Sequence, residues 1–201
     1  GVGAADNTVG QEAAVSTYVD GVYIPSTYGA LFEFNNIDRV EVLKGPQGTL
    51  FGRNATGGLI HIFTRTPSHD SLLEGSVSYG DYGTSGAKLY GTTGLGDAIA
   101  ADIAVVYRNQ DDGFGRNNFL GKDVGFLPDE LGLRSKWLFD LSDATKLTLS
   151  VDYIDSKGDL GNPKNFLPGA VSTIDGQPGE KGFYDVRTGM NEFVDTEQWG
   201  A

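Results

Sequence analysis

From residue 72 onward apolar and polar residues alternate with a period of two, the mark of β-strands that present one apolar face. Five segments keep the same parity. Leu73, Val77 and Tyr79 take the odd positions of 73–79, Ala87, Leu89 and Leu95 those of 85–95, and Ile99, Ile103, Val105 and Tyr107 those of 99–107. Segment 131–141 adds Leu131, Leu133, Trp137, Phe139 and Leu141, and 145–153 adds Leu147, Leu149, Val151 and Tyr153. No odd position in these segments is charged. The even positions carry Glu74, Lys88, Asp102, Arg134, Lys136, Asp140, Lys146 and Asp152. Residues 1–68 follow another grammar, with short strand-like runs STYVDGVYI (16–24), RVEVL (39–43) and LIHIFTR (59–65). ALFEFNNI (30–37) reads as a short helix, and Pro67 closes the region.

The alternation alone fits two architectures: a soluble antiparallel sheet with one face on a core, or a wall of strands with one face in lipid. The connections separate them. If the first strand runs upward, the short turns 95–98 and 142–145 share one end, and the long Gly/Asn/Pro-rich connections 109–128 and 157–195 share the other. Turn 81–84 is the one exception. Short turns on one side and long loops on the other are the habit of outer-membrane barrels. In that arrangement Tyr79, Tyr107 and Tyr153 end upward strands on the outward face, and Trp137 and Phe139 sit near the opposite rim. A soluble sandwich has no reason to sort aromatics by height. A lipid-facing Lys or Arg costs ~2–4 kcal/mol at the bilayer midplane, which accounts for the uncharged face.

Composition narrows the picture further. Thirty glycines and 11% aromatics in 201 residues are unusual for a compact soluble enzyme. The net charge of −12 excludes a nucleic-acid partner, because phosphate binding needs a basic surface. Zero cysteines exclude disulfides and thiolate metal sites. The longest apolar run, AIAADIAVV (98–106), is interrupted by Asp102 and far too short for a spanning helix. The opening GVGAADN has neither a basic n-region nor an apolar h-region.

The chemical motifs point away from catalysis. VLKGPQGTLFGRNATGG (42–58) suggests a phosphate cradle, but its Gly52-to-Gly57 spacing continues Gly58-Leu59 where a P-loop needs Lys and Ser or Thr. No GxGxxG and no GxSxG occurs. His61 and His69 are the only histidines, and His61 has no second ligand at metal spacing. The pairs Asp111-Asp112 and Asp129-Glu130 lie in or beside the long loops and read as solvated loop charges. No cofactor and no metal is expected.

Residues 18–67, YVDGVYIPSTYGALFEFNNIDRVEVLKGPQGTLFGRNATGGLIHIFTRTP, carry a family pattern. A YVDGV strand, an aromatic-bearing loop, a DRVEVLKGP strand, GTLFG and GGLIHIFTRTP closely resemble the C-terminal half of the plug domain of TonB-dependent outer-membrane receptors. His61 stands where that family usually has Asn. The resemblance is specific over the plug half, and the later residues agree with the family in layout.

The resemblance implies a mainly β chain, a fragment of a plugged transmembrane β-barrel. A small α+β plug half (1–69) would be followed by about five antiparallel strands, the N-terminal part of the barrel (70–201). It implies a location in the outer membrane of a Gram-negative bacterium, no enzymatic activity, and energised uptake of a scarce ligand. A ferric siderophore-type iron complex comes first, with haem, cobalamin or glycan as alternatives. Partners would be outer-membrane lipid, the small ligand (an iron chelate or an oligosaccharide), and the TonB complex through a segment outside these residues. Tyr23, Pro25, Ser26, Thr27 and Tyr28 match a plug apex facing the ligand, or else pack on the barrel wall. Arg39, with Glu41 and Lys44, matches a lock between plug and barrel, or else Arg39 is an ordinary strand arginine. Gly45, Gly48, Gly52, Gly57 and Gly58 are the plug-motif glycines, with Gly45-Pro46 ending one strand and Gly57-Gly58 starting the next. A passive porin-type barrel and a soluble β-rich carbohydrate-binding protein are the alternatives. Five strands cannot close a membrane barrel, and an open sheet edge is untenable in lipid. Residues 1–201 expressed alone are therefore expected not to give a soluble, cooperatively unfolding monomer, which sedimentation and thermal unfolding together can check.

Overall fold

The computed structural model describes residues 15–24, 36–51, 55–127, 129–159, 171–172, 174–178, 182–189 and 193–200. Four strands form the first sheet: β1 (Val15–Val19), β2 (Val22–Ile24), β3 (Ile37–Lys44) and β4 (Gly58–Thr64), in the order β2-β1-β4-β3. β1 runs parallel to β4, and both outer strands pair antiparallel. The run expected as one strand over 16–24 is a hairpin. Asp20 and Gly21 both have positive φ (49° and 88°), as a two-residue type I′ turn requires, and Asp-Gly is a favoured pair for it.

A single turn of helix, α1 (Gly48–Phe51), lies between β3 and β4. Four residues are too few to show a helical period, so the pattern of apolar positions gave no sign of it. Of the helix expected over 30–37, residues 30–35 lie outside the described residues; Asn36 is a buried turn residue and Ile37 already opens β3. The glycine-rich stretch does what its glycines suggested. β3 ends at Lys44, Gly45 turns with φ 86°, and β4 begins at Gly58 opposite Lys44. Gly58 has φ 153°, and a Cβ there would stand 2.7 Å from the Leu43 carbonyl oxygen.

The second sheet has six strands: β5 (Leu72–Tyr79), β6 (Ser85–Gly94), β7 (Ile99–Asn109), β10 (Asp129–Ser142), β11 (Thr145–Asp159) and β12 (Phe193–Gly200), in the order β12-β11-β10-β7-β6-β5. Between β7 and β10 a small hairpin forms from β8 (Gly115–Asn117) and β9 (Lys122–Val124). The five expected strands are all present, and β12 is a sixth. It escaped notice because its odd positions include Asp195 and Glu197, which break the uncharged face. Its register explains them. Trp199 pairs with Tyr153, while Glu197 and Asp195 lie opposite Asp155 and Lys157. β11 therefore turns from apolar to charged at an aromatic pair, as a strand does on leaving a membrane.

Burial confirms which face is which. Along β10 the even positions are covered from Glu130 to Leu138, while Leu131, Leu133, Trp137 and Leu141 are exposed. β7 repeats this, with Ala100, Asp102, Ala104 and Val106 buried and Ile103 and Tyr107 exposed. Val77, Tyr79 and Trp199 are exposed by more than 80%. The apolar face is bare and the charged face is covered, the reverse of a soluble sheet. No helix among the described residues is long and apolar enough to cross a membrane.

The described residues fall into two compact units. One comprises those of 1–73, 90–104 and 135–150; the other comprises those of 74–89, 105–134 and 151–201. The first unit thus contains the whole four-stranded sheet together with segments of β5, β6, β7, β10 and β11. Gly58→Ala is expected to destabilise the full-length protein by about 1–3 kcal/mol through left-region strain and the Leu43 contact. Gly48→Ala, where an added Cβ meets nothing within 4 Å, is expected to be near neutral. Thermal transitions of the two purified variants check this pair.

Candidate functional site: a clamp between the small sheet and a wall strand

The first unit is organised around Asp20, at the tip of the β1–β2 turn. Asp is at home there because its short side chain tolerates positive φ and can bond local backbone. Its Oδ1 accepts the backbone N–H of Thr64 at 2.8 Å, and its Oδ2 accepts the Thr64 hydroxyl at 2.6 Å. Lys136 Nζ of β10 reaches the same Oδ2 at 2.8 Å. Lys136 also donates toward the carbonyls of Thr64 (3.4 Å) and Arg65 (3.3 Å). An ammonium has three protons, and here three acceptors receive them. The backbone N–H of Lys136 donates to Asp102 Oδ1 of β7 at 2.7 Å, fixing the root of the side chain.

Such complete coordination is what a buried cation needs. The Lys136 side chain is 7% exposed and its Asp20 partner 28%. A buried ammonium without partners costs several kcal/mol, so the geometry has to supply every proton with an acceptor. Burial of Asp20 opposes its ionisation, but the hydrogen bonds from Lys136 and from Thr64 outweigh that and hold its carboxyl below the usual value.

A cavity of about 670 Å³ adjoins the clamp, lined among others by Asp20, Arg39, Phe63, Arg65, Tyr90 and Lys136. The Arg39 guanidinium lies 3.7 Å above the Phe63 ring, and that of Arg65 lies 5.0 Å from Tyr90. Rings continue in a row across one face of the small sheet. Tyr23 sits 5.5 Å from Tyr18, Tyr18 6.1 Å from His61, and His61 3.9 Å from Phe63. Phe51 of α1 packs 5.4 Å from Tyr18, whose hydroxyl donates to the Phe51 carbonyl at 2.6 Å. His61 Nε2 accepts the Gly21 N–H at 3.0 Å, which gives this histidine a structural task in closing the hairpin. No group of three or more His, Asp or Glu arranged to hold a metal occurs among the described residues.

The residues singled out by motif are distributed as follows. Tyr23 is half-buried on β2 against Tyr18. Pro25, Ser26, Thr27 and Tyr28 lie outside the described residues, as does Gly52. Arg39 is 53% exposed and bonds Glu41 at 2.8 Å and Asp38 at 3.2 Å within its own strand. Its hydrogen bond to Glu41 raises the guanidinium's affinity for its proton. Lys44 falls on the opposite face of β3 from Arg39 and Glu41, because side chains alternate along a strand. Gly57 offers its carbonyl to the Gly45 N–H at 3.3 Å. Gly48 opens α1.

Sequence reasoning missed the Asp20–Lys136 clamp. Asp20 lay inside a recognised run, and Lys136 was one of eight charges on the even face. A buried partner far along the chain has no local signature. A more exposed long-range contact ties the link after β4: His69 meets the Gly96 carbonyl at 3.1 Å and Asp140 at 3.0 Å, and Asp140 also pairs with Lys146 at 2.9 Å.

Residues 2–59 match the model of the TonB-dependent Receptor Plug Domain. Over that stretch the chain is a TonB-dependent receptor plug domain. It is 28% identical over 173 residues to the probable TonB-dependent siderophore receptor PiuA of Acinetobacter baumannii, covering 85% of this chain and 22% of that one. It is 38% identical over 112 residues to the pesticin receptor of Yersinia pestis, covering 55% of this chain and 16% of that one. The crystal structure of the ferric yersiniabactin uptake receptor FyuA of Yersinia pestis superposes with a TM-score of 0.62 at 25% identity, over 74% of this chain and 23% of that one. The chain thus spans about a fifth of the length of such receptors. Within that span this receptor chain has plug sequence, a small plug-type sheet and outward-bare wall strands. Its place is the outer membrane of a Gram-negative cell.

The depressed Asp20 carboxyl sets a pH dependence with a definite sign. A carboxylate whose folded pKa is lowered contributes stability above its unfolded value of ~3.9, and that contribution is lost as pH falls through the folded value. The difference in thermal transition between the full-length receptor and its Asp20→Asn variant is expected to be constant from about pH 8 to pH 5. It should shrink only below ~pH 4, which detergent-solubilised melting curves can follow.

Proposed function

We propose that the receptor to which this chain belongs takes up a ferric siderophore-type complex across the outer membrane, energised by the TonB complex. The observation that carries this reading is the clamp of the small sheet onto a wall strand, a plug held inside a barrel. A lumen closed by a plug has no use in passive diffusion, so opening it needs an outside source of work. The relatives support the ligand class, since PiuA bears a siderophore-receptor name and FyuA was solved as a ferric yersiniabactin uptake receptor. Haem, cobalamin and glycan are the competing cargoes.

In this reading residues 1–69 are the C-terminal half of the plug, and residues 70–201 begin the barrel, in contact with outer-membrane lipid. Tyr23, Pro25, Ser26, Thr27 and Tyr28 form a plug apex that touches ligand. Arg39 and Glu41, on one face of β3, form a lock between plug and barrel, and Lys44 joins it from the other face. The bare odd face of β5, β6, β7, β10 and β11 supports the lipid contact.

Deletion of the full-length receptor is expected to abolish uptake of a radio-iron chelate under iron limitation. Loss of TonB alone should abolish it equally, in a strain that still makes the receptor. TonB-independent uptake would favour a passive barrel. Binding of an oligosaccharide with no ferric chelate transported would move the ligand class.

A further inference from the structure

Lys136 grips the small sheet at a particular place. Chain leaves β4 at Thr64 and enters β5 at Leu72, so the Thr64 and Arg65 carbonyls that Lys136 bonds are at the covalent exit of the plug. Through Asp20 the same ammonium also holds the β1–β2 turn. Asp20 is locked to β4 by three further bonds, from the Thr64 N–H, from the Thr64 hydroxyl, and from its own N–H to the Ile62 carbonyl at 2.9 Å. β1 lies parallel to β4 over five paired positions, Val15 to Val19. One wall cation therefore ties together two strands that are already paired, and does so beside the link that cannot part.

Opening this contact would leave a buried ammonium with one proton unmatched, two longer carbonyl bonds and no counter-charge. Removing one partner of a buried ion pair is strongly unfavourable for that reason. An exposed pair such as Arg39 with Glu41 could be exchanged for water at little cost.

We propose that Lys136 is a positioning residue whose bond to Asp20 anchors β1 and β4 to the barrel wall and stays closed throughout the uptake cycle. This rests on the proposed energised transport, in which some part of the plug must yield while the remainder stays seated. The anchor decides which part stays.

Two measurements on the full-length receptor test it. Lys136→Met keeps the stem and removes the charge. It is expected to loosen the plug and raise sensitivity to a bulky glycopeptide antibiotic, otherwise excluded by the outer membrane, by about fourfold or more. Lys136→Arg should retain exclusion. Receptor amount and heat-modifiable gel mobility verify assembly in each case, and an assembled Lys136→Met receptor with no added leak overturns the proposal. In the second measurement, Asp20→Cys and Lys136→Cys are joined by a bismaleimide bridge. The bridged receptor is expected to import a ferric chelate at the unmodified receptor's rate; chelate binding with import lost would show that the contact opens, and so overturn the anchor. Should Lys136→Met fail to assemble, Asp20→Asn, which still offers Thr64 an acceptor, takes its place in the leak assay. If the unaltered receptor imports no ferric chelate at all, the uptake reading fails, while the antibiotic leak still decides the anchor.

Discussion

A strand with one face in lipid has to carry all its charge on the other face, and the rest of this structure follows from that constraint. β10 illustrates it. Its outward positions are Leu131, Leu133, Trp137 and Leu141, while Glu130, Arg134 and Lys136 point inward and are covered. A covered charge needs a counter-charge. Glu130 meets Arg108 at 2.9 Å and Arg134 meets Asp152 at 3.6 Å, both partners being supplied by wall strands. Lys136 finds its partner in the plug instead, at Asp20. The demand of the bilayer for an apolar exterior thus becomes a demand of the interior for paired ions. One of those pairs seats the plug.

The small sheet is built to receive that contact. A two-residue turn with two positive φ angles projects the Asp20 carboxylate, and β4 offers Thr64 to hold it. His61 closes the turn from one side through the Gly21 N–H. The glycines serve the same end. Gly45 reverses the chain after β3, and Gly58 lets β4 begin where a side chain would strike the Leu43 carbonyl. The row of rings from Tyr23 to Phe63 stiffens one face of the sheet, and Arg39 caps the row over Phe63. Parallel pairing of β1 with β4 and the ionic contact at the turn join both strands to β10 through one cation.

Much of the wall could be read from the order of residues because lipid imposes a rule on every second position. β5, β6, β7, β10 and β11 all obeyed it, and their limits moved by only a few residues. β12 broke the rule at Asp195 and Glu197, because there the strand has passed the aromatic level marked by Trp199 and Tyr153. α1 was too short to have a period. The plug was legible through its glycine and YVDGV motifs, since tight turns constrain residue type locally.

The sequence by itself determined which face of β5, β6, β7, β10 and β11 meets lipid, where the short turns between them fall, and the family pattern, because each of these depends on neighbours within a few residues. Only the tertiary structure decided which inward charge meets which. Lys136 is indistinguishable in sequence from Lys88 or Lys146; it meets the small sheet because folding brings β10 against the Asp20 turn and buries the ammonium there. Desolvation gives a charge pair its strength, and desolvation is a property of the assembled fold.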